Sequence, residues 1–574
     1  MVAAASWPMA LQRLLGCLVL LLAGDSTLVA GWQYGIMCDA GSGGTRLHVF
    51  KWPLRVADPL KPLYGAVTQP EEVFSVSTRP GISAFANNVS GLGPYMHGLL
   101  EVAKARLQDL REQWYLMPIY LKATAGARDL YQDQRDAIFA KIRALLFASG
   151  FRFDSEYWAR TISGEEEGVH AWLTVNAIKG TFRADPGSTW GAMDMGGAST
   201  QLAFIPKDIS IIQNYFPLHI SYLHLHLYAH SYLEFGYRDA NQRLVLELSA
   251  RQGVSASRQH PVVNPCYPRG SLFLQPLSET FAVGAQEWWV RGSGNVTECL
   301  DIASWLLHKD APCFVPAVSR EFAVNSRMGA CAIGGVYEPD VHLRKFVAMG
   351  QYANLAKLSG IPMETLVPLS AVLPGVRSTC SAEAHLFIEE VDDPEGHGKA
   401  EARGLQGKAA DPMWTPMARC WKAIWMWTVL RHGLKFPLDV PQLVFASTLD
   451  NQETGWALGA MMHEVNYYPW TSGVLGSVAL SAAAPEASPS DASHGLEDAG
   501  TPAGLGGFAV AVLLSLGAGL GAGGLSFGHC HRAAVAAEAC AVSGRHIAAE
   551  VVGAQAEAGE ALAAAASYQR LAGA

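Results

Sequence analysis

The order of apolar and polar positions along the chain predicts a body of mixed strands and helices. Residues 34–38 form a short apolar run that Asp39 and a group of glycines stop, which predicts a buried strand ending in a tight loop. Residues 47–52 resume the apolar pattern, as the second strand of a hairpin would. Residues 117–123 predict another buried strand, and helix-like stretches occupy about 95–113 and 132–147.

One short motif occurs twice. Residues 39–47 align without gaps with residues 194–202, and the Asp, the first Gly, the Thr and the Leu coincide. Each copy follows an apolar run, and the copies are about one domain length apart. We therefore infer two similar lobes, each of which offers one strand–Asp–Gly-rich hairpin to a shared cleft.

These repeated loops have the composition of a phosphate site. Glycines let successive backbone N–H groups point inward and form a concave anion site. Four hydroxyl side chains add donors: Ser42, Thr45, Ser199 and Thr200. A carboxylate beside a polyphosphate repels it unless a cation intervenes, so Asp39 and Asp194 are expected to hold hydrated Mg²⁺ or Ca²⁺, through water. One such turn alone would be an ordinary hairpin, and the matched pair favours the phosphate site.

Three carboxylates, Glu165, Glu166 and Glu167, stand together just before the largely apolar segment 169–175. Acidic residues in the first turn of a helix stabilise its N-terminus, and this is the usual role of such a cluster. A general base that takes a proton from an attacking water would also be a carboxylate close to the bound phosphate. The residues alone do not decide among the three.

Composition and charge narrow the classes of binding partner that the chain can have. The chain has 574 residues, of which 50% are hydrophobic and 16% charged, so more than one structural unit is expected and disorder is not. The net charge is -9 and no run of Lys or Arg occurs, which argues against a nucleic-acid partner. A small anion held by backbone dipoles and a metal is compatible with this charge.

Both ends of the chain predict membrane or targeting segments. Residues 1–30 have the form of a signal peptide, with an uncleaved anchor as the alternative. Residues 503–527 contain no charged side chain and are long enough to span a bilayer, although a flexible Gly/Ala linker is the alternative. Residues 481–502 are predicted to be a disordered stalk, and 528–574 a cytosolic Ala-rich tail. These segments predict a membrane protein of the Golgi or plasma membrane whose body faces the lumen or the outside.

Cysteine usage agrees with an oxidising compartment. Six cysteines cluster in the later half of the body: Cys266, Cys299, Cys313, Cys331, Cys380 and Cys420. Cys38 stands apart in an apolar strand and is predicted to be a buried free thiol. Glycosylation sequons begin at Asn88 and Asn295, on the side that would be lumenal.

A group of histidines, His224, His226 and His230, suggests a zinc site. These residues lie within an alternation of histidine and leucine. A strand with one apolar face explains that alternation better, so zinc is the minor alternative here.

Five segments of the chain resemble the apyrase-conserved regions, in the right order. They are residues 39–42, 124–128, 164–168 with Trp172 and Asn176, 193–201, and 455–459. Over roughly residues 31–468 the chain thus resembles the ectonucleoside triphosphate diphosphohydrolases, or apyrases.

The resemblance implies an α/β, two-lobed actin-like (ribonuclease H-like) fold with the active site in the interlobe cleft. Lobe I would span 31–158, completed by about 443–475, and lobe II would span 159–442. The implied activity is metal-dependent hydrolysis of nucleoside tri- or diphosphates by in-line attack of an activated water. The alternatives are a nucleotide-binding receptor with an inactive site, and a kinase or exopolyphosphatase of the same superfamily.

The resemblance also implies roles for particular residues. Glu167 would be the general base, and Ser199 and Gln201 would orient the water. Phosphates would be bound by Ser42, Gly43, Gly44, Thr45, Gly196, Gly197, Ala198 and Ser199, with Thr124 and Arg128 at the cleft. The implied disulfides are Cys266–Cys299, Cys313–Cys331 and Cys380–Cys420. Tyr352 is the tyrosine nearest to the usual base-stacking position, and Arg238 is a weaker candidate for nucleoside contact.

Overall fold

The computed structural model describes most of the chain between residues 31 and 467. The described residues are 31–53, 67–183, 186–208, 210–221, 223–254, 256–277, 286–308, 311, 331–341, 344–381 and 418–467. The predicted signal peptide, stalk, membrane span and tail lie outside them. Among the helices that the structure describes, none combines the length and the apolar character needed to cross a membrane.

Five strands form the first sheet. They are β1 (Trp32–Ala40), β2 (Thr45–Pro53), β3 (Glu71–Thr78), β4 (Ile119–Ala123) and β5 (Ala159–Thr161). Their order is β3-β2-β1-β4-β5, with β1 antiparallel to β2 and parallel to β4. Ile36 and Cys38 lie in one hydrophobic core and Met37 in another, so β1 is buried on both faces. This explains why its sequence is a continuous apolar run.

The remaining strands build a second, larger sheet and two small ones. They are β6 (Gly191–Met195), β7 (Ser199–Phe204), β8 (Tyr215–Ile220), β9 (Leu223–Leu233), β10 (Val262–Asn264), β11 (Leu272–Leu277), β12 (Gln286–Gly292), β13 (Phe346–Gly350), β14 (Leu366–Val367), β15 (Leu443–Phe445), β16 (Thr448–Leu449) and β17 (Gln452–Glu453). The large sheet has the order β14-β15-β13-β6-β7-β9-β8, in which β6 and β7 form an antiparallel hairpin. The small sheets are β10-β12-β11 and β16-β17.

Helices cover these sheets. The described α-helices are α1 (Leu92–Arg106), α2 (Ala125–Arg128), α3 (Gln132–Phe147), α4 (Gly164–Ile178), α5 (Tyr237–Gln252), α6 (Val296–Trp305), α7 (Gln351–Leu358), α8 (Leu373–Ser381), α9 (Arg419–Thr428) and α10 (Ala457–Tyr467). Short 3₁₀ helices occupy Ile82–Phe85, Val89–Gly91, Gln108–Leu116, Glu156–Trp158, Thr181–Arg183, Pro186–Ser188, Ile333–Gly335 and Leu369–Ala371, and a π-helical turn continues α9 at Val429–Gly433.

Helix α4 is the central helix of the body. It packs against β6, β7, β9 and α10, and its core also contains Met37 from β1 and Val347 from β13. A Cβ atom on Gly459 of α10 would lie 1.8 Å from the backbone oxygen of His170 in α4. The two helices therefore cross at a separation that only glycine allows. This packing fixes the position of the N-terminus of α4, where the three glutamates lie.

Most of the predicted elements are confirmed, with one difference at residues 95–113. Helix α1 ends at Arg106, and the chain continues as the 3₁₀ helix Gln108–Leu116. At this boundary the Leu107 carbonyl accepts from the Leu110 N–H in the 3₁₀ pattern (3.0 Å) and from the Trp114 indole (3.0 Å), seven residues along the chain. Helix Gln132–Phe147 and the hairpin of β1 and β2 agree with the prediction.

Two strands begin at the predicted lobe boundaries, which remain predictions. Strand β5 pairs with β4 in the first sheet, and β15 pairs with β13 in the second. Helix α10 contacts both β1 and α4.

The described disulfides match the pairing that the resemblance implied. Cys266–Cys299 and Cys380–Cys420 are bonded. Cys331 is also disulfide-bonded, and its predicted partner, Cys313, lies outside the described residues. Cys38 is a buried free thiol, and its burial raises the pKa of the thiol to about 12.

Candidate active site

The two copies of the repeated motif face each other. Each is the turn of an antiparallel hairpin, β1–β2 in one case and β6–β7 in the other. The register places Asp39 opposite Arg46 and Asp194 opposite Gln201. A Cβ on Gly197 in the second turn would lie 2.9 Å from the Ser42 Oγ in the first. The two Gly-rich turns therefore meet, as the repeat predicts.

The first turn is shaped by two glycines outside it. A Cβ on Gly126, in α2, would lie 2.8 Å from the Ser42 Cα, and one on Gly81 would lie 2.5 Å from the Gly41 carbonyl oxygen. Around Gly43, by contrast, a Cβ would meet nothing within 4 Å. The turn is thus packed from behind and open at its tip. The sequence motif included Gly126, whereas Gly81 was missed.

The second turn is held by the N-terminus of α5. Backbone N–H groups of Gly236, Tyr237 and Arg238 donate to the carbonyls of Ala198, Gly196 and Gly197, at 3.1, 3.2 and 2.9 Å. The first N–H groups of a helix have no partner inside the helix, so they are free for this use. A Cβ on Gly236 would lie 2.4 Å from the Gly197 oxygen, so only glycine fits there. Helix α5 therefore engages the acceptor groups of the turn, which would otherwise repel an anion.

Four predicted residues share one hydrogen-bond cluster. The Glu167 Oε2 accepts from the Arg128 Nη2 (3.0 Å) and from the Gln201 Nε2 (3.2 Å). The Ser199 Oγ accepts from the same two donors, at 3.2 and 2.7 Å. Arg128 also donates to the Ile162 carbonyl (3.1 Å), and this contact fixes the guanidinium. The structure thus brings residues of three sequence motifs, 124–128, 164–168 and 193–201, together around a single carboxylate.

The three glutamates at the start of α4 have different environments. Glu166 forms a capping box with Ser163 and a two-point ion pair with Arg160, at 2.9 and 2.5 Å. Glu165 is partly exposed, with its Oε1 3.7 Å from the His230 Nδ1. Glu167 is 8% exposed and points into the cluster. The helix-capping interpretation therefore applies to Glu166, whereas Glu167 is the buried glutamate for which the catalytic role stays a prediction.

Burial raises the pKa of three carboxyl groups in the site. It raises the pKa of Glu167 to about 7, an effect that Arg128 opposes and the charge of Asp194 increases. Burial also raises the pKa of Asp39 to about 6 and that of Asp194 to about 6, and the charge of Asp39 adds to the latter. One buried and two half-buried carboxylates near one another form a site that a cation would stabilise.

Asp39 and Asp194 fit a divalent cation bound through oxygen atoms. Within the described part of the chain, neither carboxylate is in an ion pair with a basic side chain. Buried carboxylates without a cationic partner are costly unless a metal compensates them. Hard oxygen donors of this kind suit Mg²⁺ or Ca²⁺.

Gly350 is a site residue that the sequence reasoning missed. Its φ is +61°, and a Cβ there would lie 2.2 Å from the Asp194 Oδ1. Position 350 joins β13 to α7, so a glycine between a buried strand and a helix was the available signal. Nearby, the Thr200 hydroxyl donates to the Asp194 backbone oxygen (2.8 Å) and is 3.0 Å from the Tyr352 hydroxyl.

The remaining predicted residues vary in exposure. Thr45 is fully buried at the start of β2, and Thr124 is buried at the N-cap of α2. Tyr352 is fully buried against Thr200, so in this conformation its ring is not available to stack on a base. The Arg238 Nε donates to the Asp239 Oδ1 (2.8 Å), and its guanidinium lies beside the position of a Cβ on Gly197.

One further cluster contains potential metal ligands, His48, Glu72 and Glu453. The His48 Nδ1 is 2.8 Å from the Glu72 Oε1, and the Arg46 Nη1 is 2.5 Å from the Glu453 Oε1. Arg46 therefore already neutralises Glu453. We interpret the cluster as an ion-pair network that ties β17 to the first hairpin.

Comparisons with known proteins define the class. The model of the GDA1/CD39 (nucleoside phosphatase) family matches residues 28–477. The chain therefore belongs to the GDA1/CD39 family of nucleoside phosphatases, and it is an enzyme of that class. This confirms the resemblance and favours the hydrolase over the inactive receptor.

Individual relatives agree with the family. The chain is 27% identical over 456 residues to probable apyrase 6 of Arabidopsis thaliana, covering 78% of this chain and 75% of that protein. It is 27% identical over 484 residues to ectonucleoside triphosphate diphosphohydrolase 1 of Bos taurus, covering 79% and 85%. Among solved structures, a nucleoside triphosphate hydrolase from Neospora caninum is similar at a TM-score of 0.51 and 17% identity, covering 80% of this chain and 97% of that one. The actin-like α/β fold is thereby confirmed.

Proposed function

We propose that this enzyme removes the terminal phosphate of nucleoside tri- and diphosphates by direct in-line attack of a water molecule that Glu167 activates. The observation that carries this proposal is the position of the Glu167 carboxylate. It is buried where two Gly-rich turns meet, and it shares the donors Arg128 and Gln201 with Ser199.

Glu167 acts as the general base. Because burial raises its pKa to about 7, its carboxylate is a stronger base than an exposed glutamate and can take a proton from water near neutral pH. The Gln201 amide, bonded to Glu167, Ser199 and the Ser231 Oγ (2.9 Å), holds the carboxylate and the hydroxyl in a fixed relation. Ser199 and Gln201 then orient the water between the base and the phosphate.

The two turns and the residues beside them bind the phosphates in this proposal. The proposed contacts are the hydroxyls of Ser42 and Thr45 and the backbone of Gly43, Gly44, Gly196, Gly197 and Ala198, with Thr124 and Arg128 at the cleft. A guanidinium suits this place because it can bond both the base and a phosphate oxygen. Catalysis then rests on positioning and charge neutralisation, with no covalent phosphoenzyme.

Asp39 and Asp194 would hold Mg²⁺ or Ca²⁺ through its water shell. When bound, the cation would neutralise negative charge on the phosphates and on the two half-buried carboxylates. Gly350 leaves the space that the Asp194 carboxylate occupies.

For the location, we propose a membrane-anchored protein whose body lies in the secretory lumen or outside the cell. The disulfides Cys266–Cys299 and Cys380–Cys420 support an oxidising compartment. Residues 503–527 would be the C-terminal span, in the Golgi or the plasma membrane. Protease protection of the body in intact vesicles, lost on adding detergent, is the result that this topology requires.

The activity is tested with the full chain in detergent. Phosphate release is measured from ATP, ADP, GDP, UDP and AMP with Mg²⁺ or Ca²⁺, beside Glu167→Gln and the matched control Glu165→Gln on the same helical turn. We expect turnover of tri- or diphosphates but not AMP, and a loss of about 10²–10⁴-fold in Glu167→Gln alone. Nucleotide binding without turnover in the wild type, or equal effects of the two substitutions, would refute the assignment.

A further inference from the structure

The edge hairpin of the large sheet carries a group of exposed histidines. Strands β8 and β9 pair antiparallel, and the register sets His219 directly opposite His224. Both side chains are exposed, and their Nδ1 atoms are 3.1 Å apart. Their rings lie nearly perpendicular, at 81°. Two ring nitrogens thus face each other at the surface.

This separation is that of two ligands on one metal ion. With metal–nitrogen distances of about 2.0–2.1 Å, two imidazoles on a tetrahedral ion are about 3.3 Å apart, and at a 90° angle about 2.9 Å. The observed 3.1 Å lies between these values. The pair therefore needs only small side-chain adjustments to bind an ion. Without an ion the pair holds a single hydrogen bond.

A third imidazole lies on the same face. His226 is two residues beyond His224 on β9, and residues so spaced share one face of a strand. In this conformation its Nδ1 lies 2.5 Å from the Tyr215 hydroxyl, an exposed contact. To become a third ligand, His226 has to leave the Tyr215 hydroxyl and rotate towards the pair. His230 is on the same face but four residues beyond His226, and its Nδ1 lies 3.7 Å from the Glu165 Oε1, so we leave it out of the group.

We propose that the β8–β9 face binds one transition-metal ion of the kind that prefers imidazole, Zn²⁺, Cu²⁺ or Ni²⁺. His219 and His224 are the primary ligands, His226 is the third, and water completes the coordination. Asp39 is on β1 of the first sheet and Asp194 on β6, which β7 separates from the β8–β9 hairpin, so this is a different site. Its neutral nitrogen donors also differ from the oxygen donors that suit Mg²⁺ and Ca²⁺. Bound metal cross-links the edge strand β8 to β9 and stabilises the hairpin.

The binding test uses the untagged full chain in detergent. The protein is freed of metal with EDTA, its thiols are blocked, and Mg²⁺ is kept in excess so that oxygen sites are occupied. Zn²⁺ is then titrated calorimetrically into the wild type, His219→Gln, His224→Gln and His226→Gln. His97→Gln, an exposed histidine on α1, is the matched control.

We expect one Zn²⁺ site that His219→Gln and His224→Gln each weaken at least tenfold, since loss of even an outer-shell partner costs about 10–100-fold. His226→Gln should weaken it less, and His97→Gln should leave it unchanged. Cu²⁺ bound to the wild type should show an electron paramagnetic resonance spectrum with nitrogen couplings from at least two imidazoles. Zn²⁺ binding that is absent, or that survives unchanged in His224→Gln, would overturn the proposal. So would equal losses in His97→Gln.

Discussion

The second Gly-rich turn, which we propose binds phosphate, is connected by hydrogen bonds to a tryptophan on a distant helix. Trp425 on α9 is fully buried, and its indole donates to the Phe235 carbonyl at 3.1 Å. Phe235 directly precedes Gly236, whose N–H bonds the turn carbonyl of Ala198. Trp425 therefore positions the turn through the start of α5. We predict that Trp425→Phe impairs turnover without touching any reacting group.

The magnitude follows from the lost donor. The Phe235 carbonyl is half-buried, so leaving it without its partner costs at most about 1–3 kcal/mol, the range for a buried group. If the whole cost appears as displacement of the turn, kcat/KM falls by about 5- to 150-fold. The same substitution at Trp427 is the control, because among the described residues its indole nitrogen has no hydrogen-bond partner. Both variants lose the same ring volume on the same helix.

The assay compares kcat/KM for ATP or ADP at saturating Mg²⁺, together with the thermal midpoint of each variant. We expect both substitutions to lower the midpoint through the cavity that they leave, and Trp425→Phe alone to lower kcat/KM substantially. If the two variants have equal kcat/KM, the path from α9 to the turn does not position the site.

Three further predictions test the site. Gly350→Ala should reduce kcat at least tenfold, because its Cβ would lie 2.2 Å from the Asp194 Oδ1. The control is Gly360→Ala, since Gly360 also has a positive φ but has open space around it, and this substitution should change stability only. Equal kcat values for the two variants would contradict the prediction. Glu167 must be deprotonated to act as the base, and its pKa is raised to about 7, so kcat/KM at low metal concentration should fall as the pH drops below 7 and level off above it. A flat profile from pH 5 to 8 would exclude Glu167 as the base. EDTA should abolish phosphate release, and added Mg²⁺ or Ca²⁺ should restore it; activity that persists in EDTA would remove the metal role of Asp39 and Asp194.

The local pattern of the sequence was sufficient for several elements. The apolar run ending at Asp39 and the helix Gln132–Phe147 depend on neighbouring residues, and both form as predicted. The boundary of α1 was not predictable in this way. It coincides with a hydrogen bond from the Trp114 indole to the Leu107 carbonyl, a contact that no periodicity expresses.

The candidate site was predictable only in part, for the same reason. The repeat identified both Gly-rich turns, because the backbone conformation of such a turn is coded by its own residues. Gly236 and Gly350 were missed because each is required by a close approach from a distant segment. The sequence also left open which glutamate faces the cleft, since all three suit the start of a helix equally well.

The sequence by itself determined the paired Asp–Gly turns, the acidic start of α4 and the oxidising cysteine pattern. Tertiary structure decided which side chains share a site: it placed Glu166 in an ion pair, brought Glu167 to Arg128, and set His219 opposite His224. The physical reason is the distance along the chain over which each effect acts. Turn and helix propensities act over a few residues, whereas burial, strand register and pKa depend on groups that only the folded chain brings together.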